Sequence, residues 1–483
     1  MRPLSIVVLG GGISGLAAAL ILGRDGHRVT LVERDPFVAG NASEAYAWER
    51  AGIPHFLQPH AFGPRGRTEM RAAFPDIFGA LVTAGAWDVD LRPKIRGPGR
   101  EDDEELAYFA ARRPLIEWAL RRAVLSESGI RAMSGIRATG YEGKSGTRPR
   151  VTAVQTTAGV IPADLVIDAM GRRTPSAEWI GALGGNGPTE RSSDCGIIYY
   201  SRYYQLRPGA RLPDGPWILG PRADLGYAMF STFPGDNGTF AAVVGIPPGD
   251  RDLKLLRHAG AFEAAVATMP ALYSWANPDT STPITDVLPM GSLRNTLRTD
   301  VDGRSMTGNG ASQGADGVIG VGDTVCHTDP ALALGLTFGL VHASALAAAI
   351  RAAGPEVTEI AAAFEGATRP DMEQRFQVAS EIDDARSRRW AGERVDIAHR
   401  DGGAYNLFAL AAGAVAALDD GDVFRTVVRR NTLLDPLAVL DDDIAMQERI
   451  ERLFADAMAR GRPAPGPTRD DLVRILREAV VGS

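Results

Sequence analysis

Residues 5–35 read SIVVLGGGISGLAAALILGRDGHRVTLVERD, and this stretch decides the fold. It opens with the short apolar run Ile6–Leu9, which is typical of a strand buried on both faces. The glycines Gly10, Gly12 and Gly15 follow with the spacing G-x-G-x-x-G. In this spacing the first glycine permits a tight turn, the second lets a pyrophosphate approach the backbone, and the third lets a helix pack closely on the strand. The stretch therefore predicts a dinucleotide-binding turn.

The residues after this turn complete a strand–helix–strand unit. The Ala- and Leu-rich run Ile13–Arg24 predicts a helix, and Arg28–Glu33 predicts a second strand that ends in an acid. Glu33 stands roughly 20 positions after the first glycine, where a carboxylate accepts hydrogen bonds from a ribose. Because a carboxylate repels a 2′-phosphate, the sequence predicts FAD or NAD rather than NADP.

The composition limits the number of domains, the binding partners and the cellular location that we expect. The 483 residues are enough for two or three domains, and a hydrophobic content of 45% is ordinary for a globular protein. The net charge of −7 argues against binding to nucleic acid or to an anionic membrane. The only cysteines, Cys195 and Cys326, form no disulfide framework, so we expect a cytoplasmic protein. The N-terminal apolar run has no cleavage pattern of a signal peptide, and Leu407–Leu418 is too short to span a bilayer.

The order of patterns along the chain predicts an interleaved organisation. Residues 195–247 are aromatic and rich in strand patterns, with a hairpin turn at Asp236–Gly238. The strand–turn–helix pattern returns at residues 318–350, and the chain from about 356 onward is mostly helical. We therefore predict an α/β fold. A discontinuous Rossmann-like domain (1–175 and 300–350) holds the dinucleotide, a mostly antiparallel β-sheet domain (176–299) is inserted for the substrate, and a C-terminal helical region (351–483) follows.

Two further segments accompany the glycine turn. In Val318–Ala345 a strand ends in Gly322-Asp323, and a loop with Pro330 and Gly335 leads into a helix. In Ala163–Pro175 a strand ends in Asp168-Ala-Met-Gly. Together with the glycine turn, these segments resemble the FAD-dependent monooxygenases of the para-hydroxybenzoate hydroxylase type, whose FAD domain is of the glutathione-reductase type. One departure is that Ala333 stands where the family's P-x-x-G-x-G loop has its first glycine.

The resemblance implies how FAD is held. The pyrophosphate would lie at the glycine turn, the adenosine ribose at Glu33, the ribityl and pyrophosphate region at Asp323, and the isoalloxazine beside the loop from Pro330 to Gly335. The cofactor-binding residues implied in this way are Gly10, Gly12, Ile13, Ser14, Gly15, Glu33, Arg34, Arg112, Gly322, Asp323, Pro330, Gly335 and Leu336.

The stretch WERAGIPHFLQPHAFGPRG (Trp48–Gly66) narrows the resemblance to bacterial natural-product epoxidases and hydroxylases, which carry an R-x-G-x-P-Q-x-x-H-x-H segment. His60 keeps the second histidine of that segment, whereas Gln58 replaces the first. The run that begins at Arg112-Arg113 resembles a helix start in this subgroup whose arginine lies near the cofactor. Of the two arginines we favour Arg112, and we take His60 and His327 as weak catalytic candidates.

The family's chemistry implies that reduced FAD takes up O2 as a C4a-hydroperoxide, whose distal oxygen passes to the substrate as an epoxidation or a hydroxylation. The inserted sheet would form the floor of an apolar pocket for a largely apolar small molecule of secondary metabolism. Alternate aromatic and Met positions on this sheet predict its lining: Tyr199, Tyr203, Trp217, Tyr227, Met229 and Phe233.

No second dinucleotide fingerprint is present in the sequence, so electrons would come from NAD(P)H that docks transiently or from a separate flavin reductase. The cysteine, histidine and acid spacings predict no metal site. Three alternatives stay open at this point. They are a reductase of the geranylgeranyl reductase type, a flavin-dependent halogenase, with Lys94 as a weak candidate for its lysine but without its W-x-W-x-I-P segment, and a FAD-stabilised binding protein without turnover.

Overall fold

The structure is a computed structural model that describes residues 2–37, 40–48, 50–299, 314–396, 405–462 and 466–481. Its strands are β1 Ser5–Leu9, β2 Arg28–Glu33, β3 Ala61–Phe62, β4 Trp87–Asp90, β5 Ala107–Ala110, β6 Ile130–Ser134, β7 Ala138–Lys144, β8 Arg150–Thr156, β9 Gly159–Pro162, β10 Leu165–Asp168, β11 Thr189–Asp194, β12 Ile198–Leu206, β13 Arg222–Asp224, β14 Met229–Pro234, β15 Thr239–Ile246, β16 Ser281–Pro283, β17 Leu288–Met290, β18 Arg294–Thr299, β19 Val318–Gly320 and β20 Cys326–His327. Its α-helices are α1 Ile13–Arg24, α2 Pro64–Ala73, α3 Pro75–Thr83, α4 Arg113–Ser126, α5 Ser176–Ala182, α6 Ala259–Ala267, α7 Pro270–Ala276, α8 Gly335–Ala353, α9 Val357–Trp390, α10 Tyr405–Ala416, α11 Gly421–Asn431, α12 Ala438–Asp441, α13 Ile444–Ala459 and α14 Arg469–Val481.

The first sheet is parallel and has the strand order β19-β10-β1-β2-β6. Both faces of β1 are buried, because Ile6 and Val8 join the core with α1 and α8 while Val7 and Leu9 pack toward the sheet β7-β8-β9. The predicted bounds of β2 and α1 agree with the structure. Since carboxyl ends of parallel strands meet at one edge, the residues after β1, β10 and β19 come together there, which is where such sheets bind ligands.

The second sheet is antiparallel, in the order β13-β14-β15-β12-β16. One face carries large side chains such as Tyr204, Phe230 and Phe240, which pack under α6, α7 and α14. The opposite face carries Tyr199, Met229 and Val243. In the predicted hairpin between β14 and β15, both Asn237 (φ 51°) and Gly238 (φ 69°) adopt the left-handed conformation of a tight turn. The predicted α/β class with an inserted antiparallel sheet and C-terminal helices is confirmed.

The C-terminal helices divide between two cores. Helices α10, α11 and α13 pack together with β4 and β5, whereas α14 packs against α6 of the second sheet. The long helix α9 runs beside α8 and contacts β18 and β20. The domain bounds stay a prediction, and the predicted boundary between residues 299 and 300 borders residues 300–313, which lie outside the described part.

Helix α8 is long and apolar enough to cross a membrane by length and composition, and among the described residues no other helix meets that test. Its side chains, such as Leu346 and Ile350, are fully buried against α1, α2 and α9. Helix α8 is therefore the central helix of the first core, where apolar composition is needed for packing.

Candidate functional site

The three fingerprint glycines occupy the turn between β1 and α1, and their surroundings differ. A side-chain carbon added at Gly10, whose φ is 101°, would lie 2.5 Å from the carbonyl oxygen of Ala169, and one at Gly15 would lie 1.9 Å from that of Gly10. At Gly12 the nearest atom would lie 3.6 Å away. Packing within the protein therefore demands glycine at the first and third positions, whereas space remains at Gly12 for a ligand to approach the backbone.

Glu33 is buried at the end of β2, beside the turn. Its Oε2 accepts hydrogen bonds from the N–H of Gly11 (2.5 Å) and from Arg50 (3.1 Å), and its Oε1 accepts one from the N–H of Asp35 (2.7 Å). Arg34, which we predicted beside it, is exposed. The carboxylate of Glu33 thus holds the glycine turn in place at the position where the ribose is predicted.

Arg50 joins this site although sequence reasoning did not assign it a role. Its side chain is only 2% exposed and pairs with Glu33, with Asp35 (3.1 Å) and with Glu117 of α4 (2.6 Å). Its guanidinium also lies 3.4 Å from the carbonyl oxygen of Gly11. The signal was present in the sequence, because Arg50 is the arginine of the R-x-G-x-P-Q segment.

A second turn, Gly322–Thr324, follows β19 and carries Asp323. Burial acts to raise the pKa of Asp323, but His327, His55 and Arg113 outweigh it and hold the pKa well below its usual range. His327 Nδ1 lies 3.2 Å from Asp323 Oδ2, and its buried Nε2 has no hydrogen-bond partner among the residues that the structure describes. A charged carboxylate therefore pairs with one ring nitrogen of His327 at this strand end, and the other ring nitrogen is left for a further partner.

The turn Gly322–Thr324 packs closely against α1 because small residues form the contact. Side-chain carbons added at Gly322 and Gly339 would lie 2.3 Å and 2.5 Å from the hydroxyl oxygen of Ser14. The N–H of Gly322 donates to Nδ1 of His342 (2.8 Å), and burial lowers the pKa of that histidine to about 4. Ile13 is buried in the core under α1. His342 is therefore a neutral acceptor that fixes the turn.

The loop between β20 and α8 begins with a short helical turn at Pro330–Leu332. Ala333 then adopts φ 55° and ψ 30°, a left-handed conformation that favours glycine. Ala333 therefore holds a backbone conformation that glycine adopts with less strain. Helix α8 starts at Gly335, where an added carbon would lie 3.4 Å from Asp323 Oδ1, and Leu336 packs against the first core.

Of the two adjacent arginines, Arg113 rather than Arg112 lies at the glycine turn. Its Nη2 would be 3.6 Å from a carbon added at Gly12, and its Nη1 lies 2.8 Å from His55 Nε2. Arg112 instead binds Asp236 through its backbone N–H (2.7 Å) and its guanidinium (2.7 Å). The assignment of Arg112 to the cofactor stays a prediction, and the hairpin of the second sheet supplies this arginine with a buried carboxylate that the sequence pattern could not locate.

His60 lies in the same neighbourhood, stacked at a tilt on His55 with 5.7 Å between ring centroids. Its Nδ1 lies 2.7 Å from the carbonyl oxygen of Gln58, and burial together with Arg113 lowers its pKa to about 3. His60 is therefore a neutral loop histidine that contacts a backbone carbonyl. In the middle segment, Asp168 is also structural, because it is buried and accepts hydrogen bonds from hydroxyls of its own loop.

A cavity of about 870 Å³ lies between the second sheet, the loop Ala331–Leu334 and the C-terminal helices. Three of the predicted lining residues, Trp217, Met229 and Phe233, face it. The other three do not line this cavity, and their contact with a substrate stays a prediction. The hydroxyls of Tyr199, Tyr203 and Tyr227 instead donate to Asp329 (2.7 Å), to the carbonyl of Gln58 (3.4 Å) and to the carbonyl of Pro467 (2.8 Å).

The alternation of side chains between the two faces of a strand explains part of this difference. Tyr227 precedes β14, which begins at Met229, so the alternation that puts Met229 and Phe233 on one face does not extend to it. Tyr199 and Tyr203 share that face through the register of β12, β15 and β14, but they lie under the N-terminal loop and Asp329.

Comparison with known proteins agrees with this geometry, because residues 5–133 match the model of the family described as FAD dependent oxidoreductase. The chain carries a FAD-dependent oxidoreductase domain. It is 30% identical over 226 residues to Protein Rv3254 of Mycobacterium tuberculosis, a match that spans 43% of this chain and only 45% of that protein.

Solved structures of two oxygenases and of a flavin-dependent brominase share the fold. PqsL of Pseudomonas aeruginosa, a probable FAD-dependent monooxygenase, superposes with a TM-score of 0.57 at 15% identity, over 81% of this chain and 99% of its own. A 2-methyl-3-hydroxypyridine-5-carboxylic acid oxygenase gives 0.55 at 16% identity, over 84% and 98% of the two chains. The flavin-dependent brominase Bmp2 gives 0.50 at 14% identity, over 100% and 99%.

The residues at the strand ends fit FAD. The backbone at Gly12 is open to a pyrophosphate, and the N-terminus of α1 behind it favours negative charge. His327, whose Nδ1 pairs with Asp323, has its Nε2 without a partner among the described residues and so offers a polar atom near the position that the resemblance gives to the ribityl chain. Together with the family match, this donor set supports FAD as the resident cofactor of the oxidoreductase domain.

A buried ionic cluster joins the flavin loop, Pro330–Gly335, to the rest of the molecule. Arg386 of α9 donates to Asp329 (2.9 Å), to Asp383 (2.6 Å) and to the carbonyl of Cys195 (2.6 Å). Burial and the charge of Asp329 raise the pKa of Asp383 to about 8. The thiol of Cys195 and the two carboxylates could together offer ligands to a metal ion, but the guanidinium of Arg386 already bridges both carboxylates.

Proposed function

We propose that the protein is a FAD-dependent monooxygenase that inserts one oxygen atom from O2 into a largely apolar small molecule, by epoxidation or hydroxylation. The observation that carries the proposal is the apolar cavity of about 870 Å³, which is lined by residues of the flavin loop as well as by the inserted sheet. A substrate in this cavity would lie against the same loop that is implied to flank the isoalloxazine.

When bound, FAD supplies the activation of O2, with one oxygen atom going to the substrate and the other leaving as water. The chain's own residues would bind the cofactor and shield the reacting groups from water. Gly12 leaves room for the pyrophosphate, Asp323 and His327 present polar atoms at the ribityl position, and the apolar walls exclude water. Because burial and the charge of Arg113 lower the pKa values of His55 and His60, both rings stay neutral at neutral pH and add no charge beside the cofactor.

NADH, NADPH or a partner flavin reductase would supply the electrons, and a substrate from secondary metabolism would fit the resemblance to natural-product epoxidases. We also propose a cytoplasmic protein, in keeping with two buried free cysteines. Anaerobic reduction of the purified holoenzyme by each donor, followed by a pulse of O2, tests the oxygenase function. A transient absorbance of a flavin C4a-hydroperoxide is expected, and reoxidation without it in the presence of candidate substrates would contradict the proposal.

The FAD site itself can be tested separately. A Gly12→Val variant should fold, because nothing in the protein lies within 3.6 Å of the added carbon, yet it should purify with at least about tenfold less flavin since the side chain blocks the pyrophosphate. Gly79→Ala on α3, where an added carbon meets nothing within 4 Å, is the matched control and should keep full flavin content. Equal flavin content in both variants would contradict this placement.

A halogenase is the second candidate, because the fold likeness to the brominase Bmp2 extends over the whole chain. Against it, Lys94 forms an ion pair with the exposed Asp214 (3.1 Å) and does not line the cavity. A bromide-dependent or chloride-dependent gain in product mass would favour the halogenase. Turnover that persists without O2 would favour a reductase instead.

A further inference from the structure

Helix α10 is apolar on two faces, although only one of them is fully packed against protein. Its 12 residues, YNLFALAAGAVA, include no charged side chain. One face belongs to the core shared with α11 and α13, and a carbon added there at Gly413 would lie 3.0 Å from Val427 of α11. The fully buried residues of this packed face are Phe408, Ala409, Ala412 and Ala416. Because a helix that is apolar all round is normally covered on every side, the other face needs an explanation.

This other face, which we call the inward face of α10, lines the cavity along the helix and into the turn that follows. Its residues recur at the spacing of a single helix face: Leu407, Leu410, Ala411, Ala414, Val415 and Leu418. Leu407 is buried, whereas the other five are half-buried and border open space. From the first to the last of them the chain rises about 16 Å at 1.5 Å per residue. The cavity therefore runs beside α10 for about three helical turns.

One end of the inward face adjoins the flavin loop. Leu407 belongs to a small apolar cluster with Ile382 of α9, and Leu332 of the flavin loop packs against this cluster. Leu332 and Leu407 both line the cavity. A molecule that lies along α10 therefore has one end beside the loop that is implied to flank the isoalloxazine.

The opposite end of the inward face lies near the protein surface. Leu418 is followed by Asp419, which forms an ion pair with Arg460 (2.7 Å), and the side chain of Arg460 is 55% exposed. Met458, two residues before Arg460, lines the cavity and is 50% exposed. The space beside α10 therefore leads from the flavin loop to a charged rim at the surface.

The dimensions and the walls of this space suit an extended hydrocarbon chain. Apolar side chains from the inserted sheet, α11 and α13 complete the walls, such as Met229, Val427 and Phe454. Contact between such walls and water costs free energy in proportion to their area, and an apolar ligand removes that cost. An extended covalent chain advances about 1.2 Å per bond, so about 13 carbon atoms span the inward face. A polar group would stay at the rim, because its burial without a partner is costly.

We propose that the substrate is an amphiphile with a hydrocarbon chain of about 13 carbon atoms or more. The chain lies along the inward face of α10, its polar end stays at the surface beside Leu418, and its apolar end meets the flavin loop beside Leu407. The inward face then sets the chain length that the cavity accepts. The inference rests on the proposed function for one statement, namely that the apolar end is the end that is oxidised.

The test measures binding of primary alkanols to the oxidised holoenzyme, with no electron donor present. Each alkanol, from butanol to hexadecanol, competes with the neutral fluorescent probe N-phenyl-1-naphthylamine. The affinity should rise about fourfold per added CH2 up to about 13 carbon atoms and then level off, once the chain reaches the flavin loop. An affinity that is independent of chain length, or one that rises through hexadecanol without a break, would overturn the proposal.

Two tryptophan variants block the inward face at different distances from the surface. Ala414→Trp, four residues from Leu418, should move the break to about five carbon atoms, and Ala411→Trp, seven residues away, should move it to about nine. Both should fold, because each position borders open space. Ala80→Trp is the matched control: it is an exposed position on α3 that does not line the cavity, and it should keep the wild-type break.

The order of the breaks decides the outcome. The same break in all four proteins, or a shorter one in Ala411→Trp than in Ala414→Trp, would overturn the proposal. If the tryptophan variants do not fold, Ala414→Leu decides. It should weaken the binding of hexadecanol at least about fivefold and leave that of butanol unchanged, because only the longer chain passes this position. Equal effects on both alkanols would contradict the proposal.

This measurement is independent of oxygenase activity, because no step in it consumes O2 or reduces flavin. The expected breaks without oxygen transfer to any product would leave the chain site in place and contradict the proposed function. Oxygen transfer to compact substrates, together with binding that does not depend on chain length, would do the reverse.

Discussion

Two buried arginines, Arg50 and Arg386, bridge carboxylates in different parts of the molecule. The partners of Arg50 are Glu33, Asp35 and Glu117, which all belong to the N-terminal strand–helix region around the glycine turn. Arg50 therefore completes the nucleotide site from within one unit of the fold.

Arg386 connects residues that lie farther apart in the chain. It fastens Asp329, just before the flavin loop, to Asp383 on its own helix and to the backbone carbonyl of Cys195, which precedes the second sheet. The difference shows that the cofactor turn is built locally, whereas the substrate side depends on contacts between segments far apart in the chain. The charge balance differs as well, because the raised pKa of Asp383 lets it keep a proton near neutral pH.

The largest effect is expected for Arg50→Gln. Removal of the guanidinium leaves three buried carboxylates without their shared partner, so the free energy of unfolding should fall by about 3–5 kcal/mol. Urea denaturation at pH 7 measures it, together with the flavin content after purification. Arg24→Gln, which breaks an exposed pair with Asp76, is the control and should cost about 1 kcal/mol or less. A fall in the free energy of unfolding as small as that of the control would contradict the role of Arg50 as the shared partner of the three carboxylates.

The two acids of the Arg386 cluster should respond unequally. Asp329→Asn removes the charge that Arg386 needs and should cost about 3 kcal/mol in the free energy of unfolding. Asp383→Asn should cost about 1 kcal/mol or less, because the native carboxyl is already close to its neutral form. Denaturant titrations of both variants at pH 7 give the comparison, and similar losses for the two would show that Asp383 is ionised.

The pH dependence of the free energy of unfolding should differ between Asp383 in the Arg386 cluster and His60 near the glycine turn. The raised pKa of Asp383 favours folding while the carboxyl is protonated, so this contribution is present at about pH 4 and is lost as the pH rises through about 8. The lowered pKa of His60 acts in the other direction, since its contribution is present above pH 6.5 and is lost as the pH falls toward about 3.

Melting temperatures between pH 4 and 8 test these opposite slopes. Relative to the wild type, Asp383→Asn should lose less stability between pH 6.5 and 8, and His60→Gln should lose less between pH 6.5 and 4. Profiles parallel to the wild type in both variants would show that neither group is linked to folding.

The smallest effect concerns Ala333 in the flavin loop. Its left-handed backbone suits glycine, and Ala333→Gly should raise the free energy of unfolding by about 0.5 kcal/mol, since relief of strain outweighs the extra entropy of the unfolded chain. Ala331→Gly, two residues earlier and without positive φ, should lower it by a similar amount. Scanning calorimetry of both holoenzymes distinguishes them, and a lower melting temperature for Ala333→Gly would contradict the argument.

Much of the predicted fold depended on local patterns in the sequence. The bounds of β2 and α1 and the turn at Asn237-Gly238 agree with the structure because each depends on the spacing of nearby residues. The choice between Arg112 and Arg113 could not be made in this way. Both lie at the start of one helix, and only the tertiary structure shows that Asp236, from a hairpin distant in the chain, binds Arg112 rather than Arg113.

The sequence by itself determined the dinucleotide turn, the acid that ends β2, and the insertion of an antiparallel sheet into a parallel α/β domain, since spacing and periodicity encode these features. Tertiary structure decided which buried groups find partners. Long-range contacts fasten Arg386 to Asp329, and they join Arg112 to Asp236. Satisfaction of a buried charge depends on the atoms that surround it in space, and their order in the chain does not record it.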